Sequence, residues 1–191
     1  MKKIIAILIL SSSSVFASES FAYYDTSEIL SNTDQPKALA SIIKAKFSAK
    51  ESDLLMMSNK LSLQESALKI VMNKKPNVKD ISTKDKQLYN QYNTSYKAFT
   101  TMYKIYNAQL NYLNKYAFDA LNEKIESSAQ NYARQNKIKM LFTADQLVYG
   151  ADDNDITNQL LPIVKKIDIS DIIDVINRVD LKKANSIPTL N

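Results

Sequence analysis

The sequence predicts an α+β, predominantly α, fold: a long antiparallel coiled-coil hairpin arm projecting from a small β-containing body. Two stretches without Gly or Pro, 38–72 and 89–121, carry apolar residues at alternating spacings of three and four. A short basic segment holding Pro76 lies midway between them. Strand-like runs occur only toward the ends of the chain, at 20–24 and from 138 onward.

Composition narrows the chemistry. The 191 residues are 45% hydrophobic and 24% charged, with one Gly and no Cys, His or Trp. A lone Gly150 cannot build a phosphate-cradling loop. Without His or Cys the usual zinc sets and the His-dependent triads are missing. No enzyme activity, cofactor or metal is therefore expected. Asp152, Asp153 and Asp155 lack the central Gly and terminal Glu of a calcium loop, so helix capping is the better reading of that acidic stretch.

The first residues read as a cleavable export signal. Lys2 and Lys3 precede the apolar run Ile4–Leu10, and Val15-Phe16-Ala17 places small residues for cleavage after Ala17. The apolar run is too short to span a bilayer. An exported chain without cysteine has no disulfide framework, so packing or assembly must stabilise it.

Next, Ser20–Tyr24 has strand propensity, and Glu28-Ile29-Leu30 fits one helical turn. Asn32, Thr33 and Asp34 are N-cap candidates, with Pro36 suited to a first turn. The seam of the first long helix is Ile43, Phe47, Leu54, Met57, Leu61, Leu68 and Val71, interrupted by Lys50 and Gln64. Its partner seam is Tyr89, Tyr92, Tyr96, Phe99, Tyr103, Tyr106, Leu110, Leu113, Ala117 and Ala120. Matched lengths about a centre near Asp80 suit a hairpin, and arms of about 35 residues would reach roughly 50 Å. Pro76 stops the first helix, and Ser82-Thr83-Lys84-Asp85 restarts the second with capping-box spacing. That helix is expected to run to about Gln135, followed by a strand over 138–143, a second short strand at Leu147–Tyr149, and a helix opened by Asp155-Ile156-Thr157 and interrupted by Pro162. A last amphipathic helix over 169–179 has Ile172, Ile176 and Val179 on one face. The expected division is a signal at 1–17, a body of 18–34 plus 136–191, and an arm of 35–135 with its tip at about 73–86. A strand-bearing body this small, with open edges, favours oligomerisation.

Three features together resemble the Skp/OmpH family of periplasmic chaperones. They are Tyr24-Asp25-Thr26-Ser27-Glu28-Ile29-Leu30 after the signal and strand, the polar-heptad hairpin from Pro36-Lys37, and the closing series. That series runs Tyr132-Ala133, Ile138-Lys139-Met140-Leu141-Phe142, Leu147-Val148-Tyr149, then Asp155-Ile156-Thr157. The resemblance covers the chain to about Lys166. It implies a jellyfish-shaped homotrimer whose arms surround a cavity for unfolded outer-membrane proteins, working without ATP in the periplasm. The chain departs from the family in its many arm tyrosines, its scarcity of Arg, and a second Asp-Ile-Ser unit at 168–170 leading into an extension.

Beside the seams run further apolar residues. Ile42, Ala49, Met56, Leu63 and Ile70 repeat every seven residues, and Met102, Ile105, Tyr112 and Tyr116 cluster on the second helix. Two helices facing only each other need no such columns. They pack within the body, broaden the hairpin core by curvature, or line a client cavity, for which Ile42, Met56, Leu63, Ile70, Met102, Ile105, Tyr112 and Tyr116 are the candidate contacts. Lys69, Lys74, Lys75, Lys79, Lys84 and Lys86 form a basic tip: a solvated turn, or a contact for anionic lipid, lipopolysaccharide or acidic client segments. Nucleic acid is not an expected partner. The expected function is a periplasmic holdase for unfolded outer-membrane β-barrel proteins. The alternative is an envelope coiled-coil scaffold that binds one folded partner.

Overall fold

The computed structural model describes residues 20–74 and 82–181. The expected export signal and its expected cleavage point, Lys75, Lys79 and the chain after Leu181 lie outside the described residues. In order the elements are β1 (Phe21–Tyr24), α1 (Thr26–Ser31), α2 (Gln35–Lys74), α3 (Thr83–Gln135), β2 (Met140–Thr143), α4 (Thr157–Val164) and α5 (Ser170–Arg178). The fold is α+β and mainly α, with the 40-residue α2 and 53-residue α3 lying against each other as a hairpin. At 1.5 Å per residue these helices are about 60 and about 80 Å long.

Local chemistry sets the helix ends. Pro36 falls in the first turn of α2, where a missing N–H costs nothing. Ser82 and Asp85 complete a reciprocal capping box at the start of α3. At the far end of α3, Ile138 N donates to Ala133 O (2.9 Å) and Lys137 N to Arg134 O (3.3 Å), the double closure of a Schellman turn. Lys137 takes the left-handed position there, with φ 58°, where glycine is usual. The turn delivers the chain to β2, and Lys139 N donates to Ser20 O (2.9 Å) at its entrance.

β1 and β2 pair in parallel, from Phe21 opposite Met140 to Tyr24 opposite Thr143. A parallel pair needs a crossover, and here the whole hairpin is the crossover. On the other side of β1, Tyr23 bridges Asp155, and Ile156 N donates to Tyr23 O at 2.9 Å. The expected second strand at Leu147–Tyr149 does not form: Val148 and Tyr149 are exposed and unpaired in an irregular segment. Position 155 takes the place beside β1 instead. Gly150 lies so close to the Tyr23 ring that a Cβ would come within 2.5 Å of it, so this approach needs glycine.

Asp155 and Thr157 join the ends of the chain. The Asp155 carboxylate accepts from Thr157 N (2.8 Å), and Thr157 Oγ1 accepts from Asp25 N (2.8 Å). Gln35 Nε2 donates to Val164 O (2.8 Å) at the end of α4. Pro162 sits within α4, which ends two residues later. α5 follows with Ile172 and Ile176 fully buried and Val179 buried, on the face expected.

One continuous core gathers Ala22 and Tyr24 of β1, Ile29 of α1, and Leu39, Ile43 and Phe47 of α2. It also takes the inner half of α3 and the buried faces of α4 and α5. On α3 the buried residues are Gln109, Leu113, Ala117, Leu121, Ile125, Ala129 and Ala133, every fourth position. Each step of four advances about 40° around a helix, so the buried face turns as it passes α2, α5 and α4 in succession.

This corrects the aromatic seam. Leu113 and Ala117 are buried as expected, but Tyr89, Tyr96 and Tyr103 are 57%, 50% and 50% exposed. Of the aromatic seam, the column Tyr92–Phe99–Tyr106–Leu113 is the more buried along the arm, as is the α2 column Phe47–Leu54–Leu61–Leu68. Phe47 meets Tyr106 edge-to-face, with ring centroids 5.4 Å apart. Each helix of this arm has one covering partner, so the second aromatic column stands at the edge of the contact rather than within it.

Candidate functional site

Two surfaces of the hairpin could receive another chain. The first is the outer face of α2. Met56, Leu63 and Ile70 are 60%, 74% and 56% exposed. Heptad spacing keeps the three in one column along the arm. Exposed apolar residues scattered singly are ordinary, whereas an aligned column is a candidate interaction surface.

The second is a cleft of about 920 Å³ at the root of the arm. Its walls are Ala49 and Asp53 of α2, Ala98, Met102 and Ile105 of α3, and Val179 and Leu181 after α5. Lys46 and Lys50 hold the third wall in place. Lys46 Nζ donates to Asn177 O (2.9 Å), and Lys50 Nζ donates to Leu181 O and to Gln109 Oε1 (both 2.7 Å). Burial lowers both lysine pKa values from their ordinary range, for Lys46 against an opposing pull from Asp180. At the other end of α5, Asp171 pairs with Lys124 at 3.1 Å, which holds the Asp171 carboxyl below its usual range.

The expected contact residues therefore divide. Met56, Leu63 and Ile70 stand free on the arm. Met102 and Ile105 line the cleft, which Ala49 of the same α2 column also enters. Ile42, Tyr112 and Tyr116 are half-buried against the core, the two tyrosines stacked 6.5 Å apart, so they pack on the body. Burial, then the charge of Asp171, raises the Tyr116 pKa. The residues that sequence reasoning missed are Ala98, Val179 and Leu181. The amphipathic face of 169–179 was visible, but nothing local to it says which surface it covers.

At the tip, Lys69 pairs with Glu65 at 2.8 Å in an exposed i,i+4 bridge, a contact worth little in water. Lys84 and Lys86 are exposed. Lys74 ends α2, and its side chain, like Lys75 and Lys79, lies outside the described residues. Among the described residues no acidic cluster could hold a metal ion, and no helix is long and apolar enough to cross a membrane.

A comparison with protein families matches residues 20–163 to the family described as outer membrane protein (OmpH-like). A solved structure of a candidate outer membrane chaperone (OmpH-like) from Caulobacter crescentus CB15 has a similar fold, with a TM-score of 0.60 and 12% identity. The likeness covers 78% of this chain and 85% of that one. A search of curated proteins finds no match. The family match spans β1 through most of α4, and α5 lies beyond it. From β1 to α4, this chain belongs to the OmpH-like family of outer membrane proteins.

Proposed function

We propose that this protein is a chaperone of the periplasm that holds non-native outer-membrane proteins without ATP until they insert. The observation that carries the reading is the unpartnered apolar column Met56–Leu63–Ile70 on a helix that already has its packing partner. Flexible Met and Leu side chains accept many apolar shapes, which suits clients sharing hydrophobicity rather than sequence. Family membership supports a chaperone role, and the Caulobacter protein is described in those words.

Assembly completes the proposal. We assign residues 18–34 and 136–191 to a body, 35–135 to an arm, and three copies to a working unit. The outer edge of β2 pairs with no strand among the described residues, and exposed Val148 and Tyr149 lie close by in sequence, as an intersubunit contact would require. Residues 1–17 serve as the export signal, and the tip lysines approach anionic lipid or lipopolysaccharide.

The test is dilution of a urea-denatured β-barrel protein into buffer with and without this protein, followed by light scattering at several salt concentrations. Suppression of scattering by a threefold molar excess is expected. The variant Met56→Ser/Leu63→Ser/Ile70→Ser should lose most of it while keeping its helicity and native mass. Unchanged scattering with the wild-type protein sinks the holdase reading. Stoichiometric binding of one folded partner instead would make the arm a scaffold.

A further inference from the structure

The cleft at the arm root has features that a simple packing defect lacks. Its lining on the two long helices includes small and apolar residues: Ala49 on α2 and Ala98, Met102 and Ile105 on α3. Its third wall, Val179 and Leu181, comes from the segment after α5, outside the family match. The wall is fastened by the Lys46 and Lys50 ammonium groups to backbone carbonyls. The remaining charges on the two long helices face the opening without an ion-pair partner among the described residues: Asp53 from α2 and Lys97 from α3.

We infer that this cleft is a binding subsite for an extended, apolar-alternating peptide segment of a non-native chain, an assignment that rests on the chaperone reading. An extended strand presents side chains alternately to two faces and carries backbone donors and acceptors along its edges. The apolar lining takes the inward side chains. Asp53 can accept backbone N–H groups, and Lys97 can donate to backbone carbonyls, so one carboxylate and one ammonium match the two polar groups every strand must satisfy. A volume of about 920 Å³ is at the upper end of the range for small-ligand pockets, roughly 300–1,000 Å³. Ala49 of the cleft lining also belongs to the heptad column that leads outward through Met56 and Leu63 to Ile70. A strand seated at the root is thereby led onto the exposed face of the arm.

The chain contains no cysteine, so single cysteines carrying a photo-crosslinker can be placed by Ala98→Cys in the cleft and Met56→Cys on the arm. The full-length protein is mixed with a urea-denatured β-barrel protein, diluted and illuminated, and the adducts are mapped. Adducts to the denatured chain from both positions are expected. Ala98→Trp, which fills an exposed lining position, should weaken binding of the denatured chain about tenfold, the equivalent of about 1.4 kcal/mol, without changing helicity or native mass. Adducts from position 56 alone, or Ala98→Trp binding as wild type, overturn the subsite and leave the holdase reading standing. Adducts from position 98 only to the protein's own chain or to another copy also overturn it, because the cleft then has an internal occupant. No adducts and no suppression of aggregation remove both readings.

Discussion

The inner and outer halves of the hairpin use the same two helices and hold together in different ways. At the root, α2 and α3 share their burial with β1, α1, α4 and α5, and Phe47, Leu113, Leu121 and Ile125 are almost wholly enclosed. Further out, each helix has only the other, and the inward column Tyr92–Phe99 is merely half-buried. The tyrosines at 89, 96 and 103 stack or stand at the margin, as in the Tyr92–Tyr96 and Phe99–Tyr103 pairs at 6.1 and 5.9 Å. The difference separates stability from reach. The root supplies the cooperative core, and the outer arm is a two-helix rod that leaves apolar surface unburied.

The contrast is sharpest for large side chains. Phe47→Ala at the root should cost about 3–5 kcal/mol, the usual penalty for emptying an aromatic core site. Tyr96→Ala on the outer arm should change global stability by about 0.5 kcal/mol or less. Urea denaturation followed by circular dichroism checks both, and equal costs would break the distinction between root and arm.

Much of this division was legible in the residues. Helix termini followed from Pro36 and from the Ser82–Asp85 box, and α5 from the spacing of Ile172, Ile176 and Val179. The first seam was readable because Phe47, Leu54 and Leu61 recur every seven residues, with Phe47 and Leu61 each between polar neighbours. The second misled because tyrosine serves equally in a seam and at its margin. A strict three-four count also assumes one constant partner, whereas α3 changes partners along its length. The end of α3 at Gln135 matches the sequence expectation, although Lys137 occupies the left-handed position that usually carries glycine. The cleft was invisible for a different reason: it joins α2, α3 and residues 179–181, whose meeting depends on tertiary docking.

The Lys50 fastening tests whether the root extends to the C-terminal segment. Lys50→Met removes donors from Gln109 Oε1 and from Leu181 O. Relief of the ammonium's desolvation, evident in its lowered pKa, offsets part of that loss. A net destabilisation of about 1 kcal/mol is expected, with faster amide exchange through α5. An unchanged exchange rate there would place the restraint elsewhere.

The smallest effect should appear where the two halves meet. Tyr106 donates to Glu51 Oε1 at 2.8 Å, and burial together with that bond pushes its pKa up to about 12 from 10.0. The folded state therefore keeps this proton after the unfolded chain has lost it. Its contribution to stability is complete below pH 10 and disappears as pH rises through about 12. Denaturation midpoints between pH 9 and 11.5 should fall less steeply in Tyr106→Phe than in the parent, and a Tyr106 phenol titrating near 10 would contradict the bond.

The parallel pairing of β1 with β2 also dictates when this protein can fold. Phe21 and Met140 are neighbours in the ladder yet about 120 residues apart in sequence. Closing so long a loop in a disordered chain is slow. A formed hairpin shortens the search by returning the end of α3 to the start of α2. The first strand to be synthesised thus has no partner until both long helices have followed it, so pairing of β1 with β2 comes late in the life of the nascent chain.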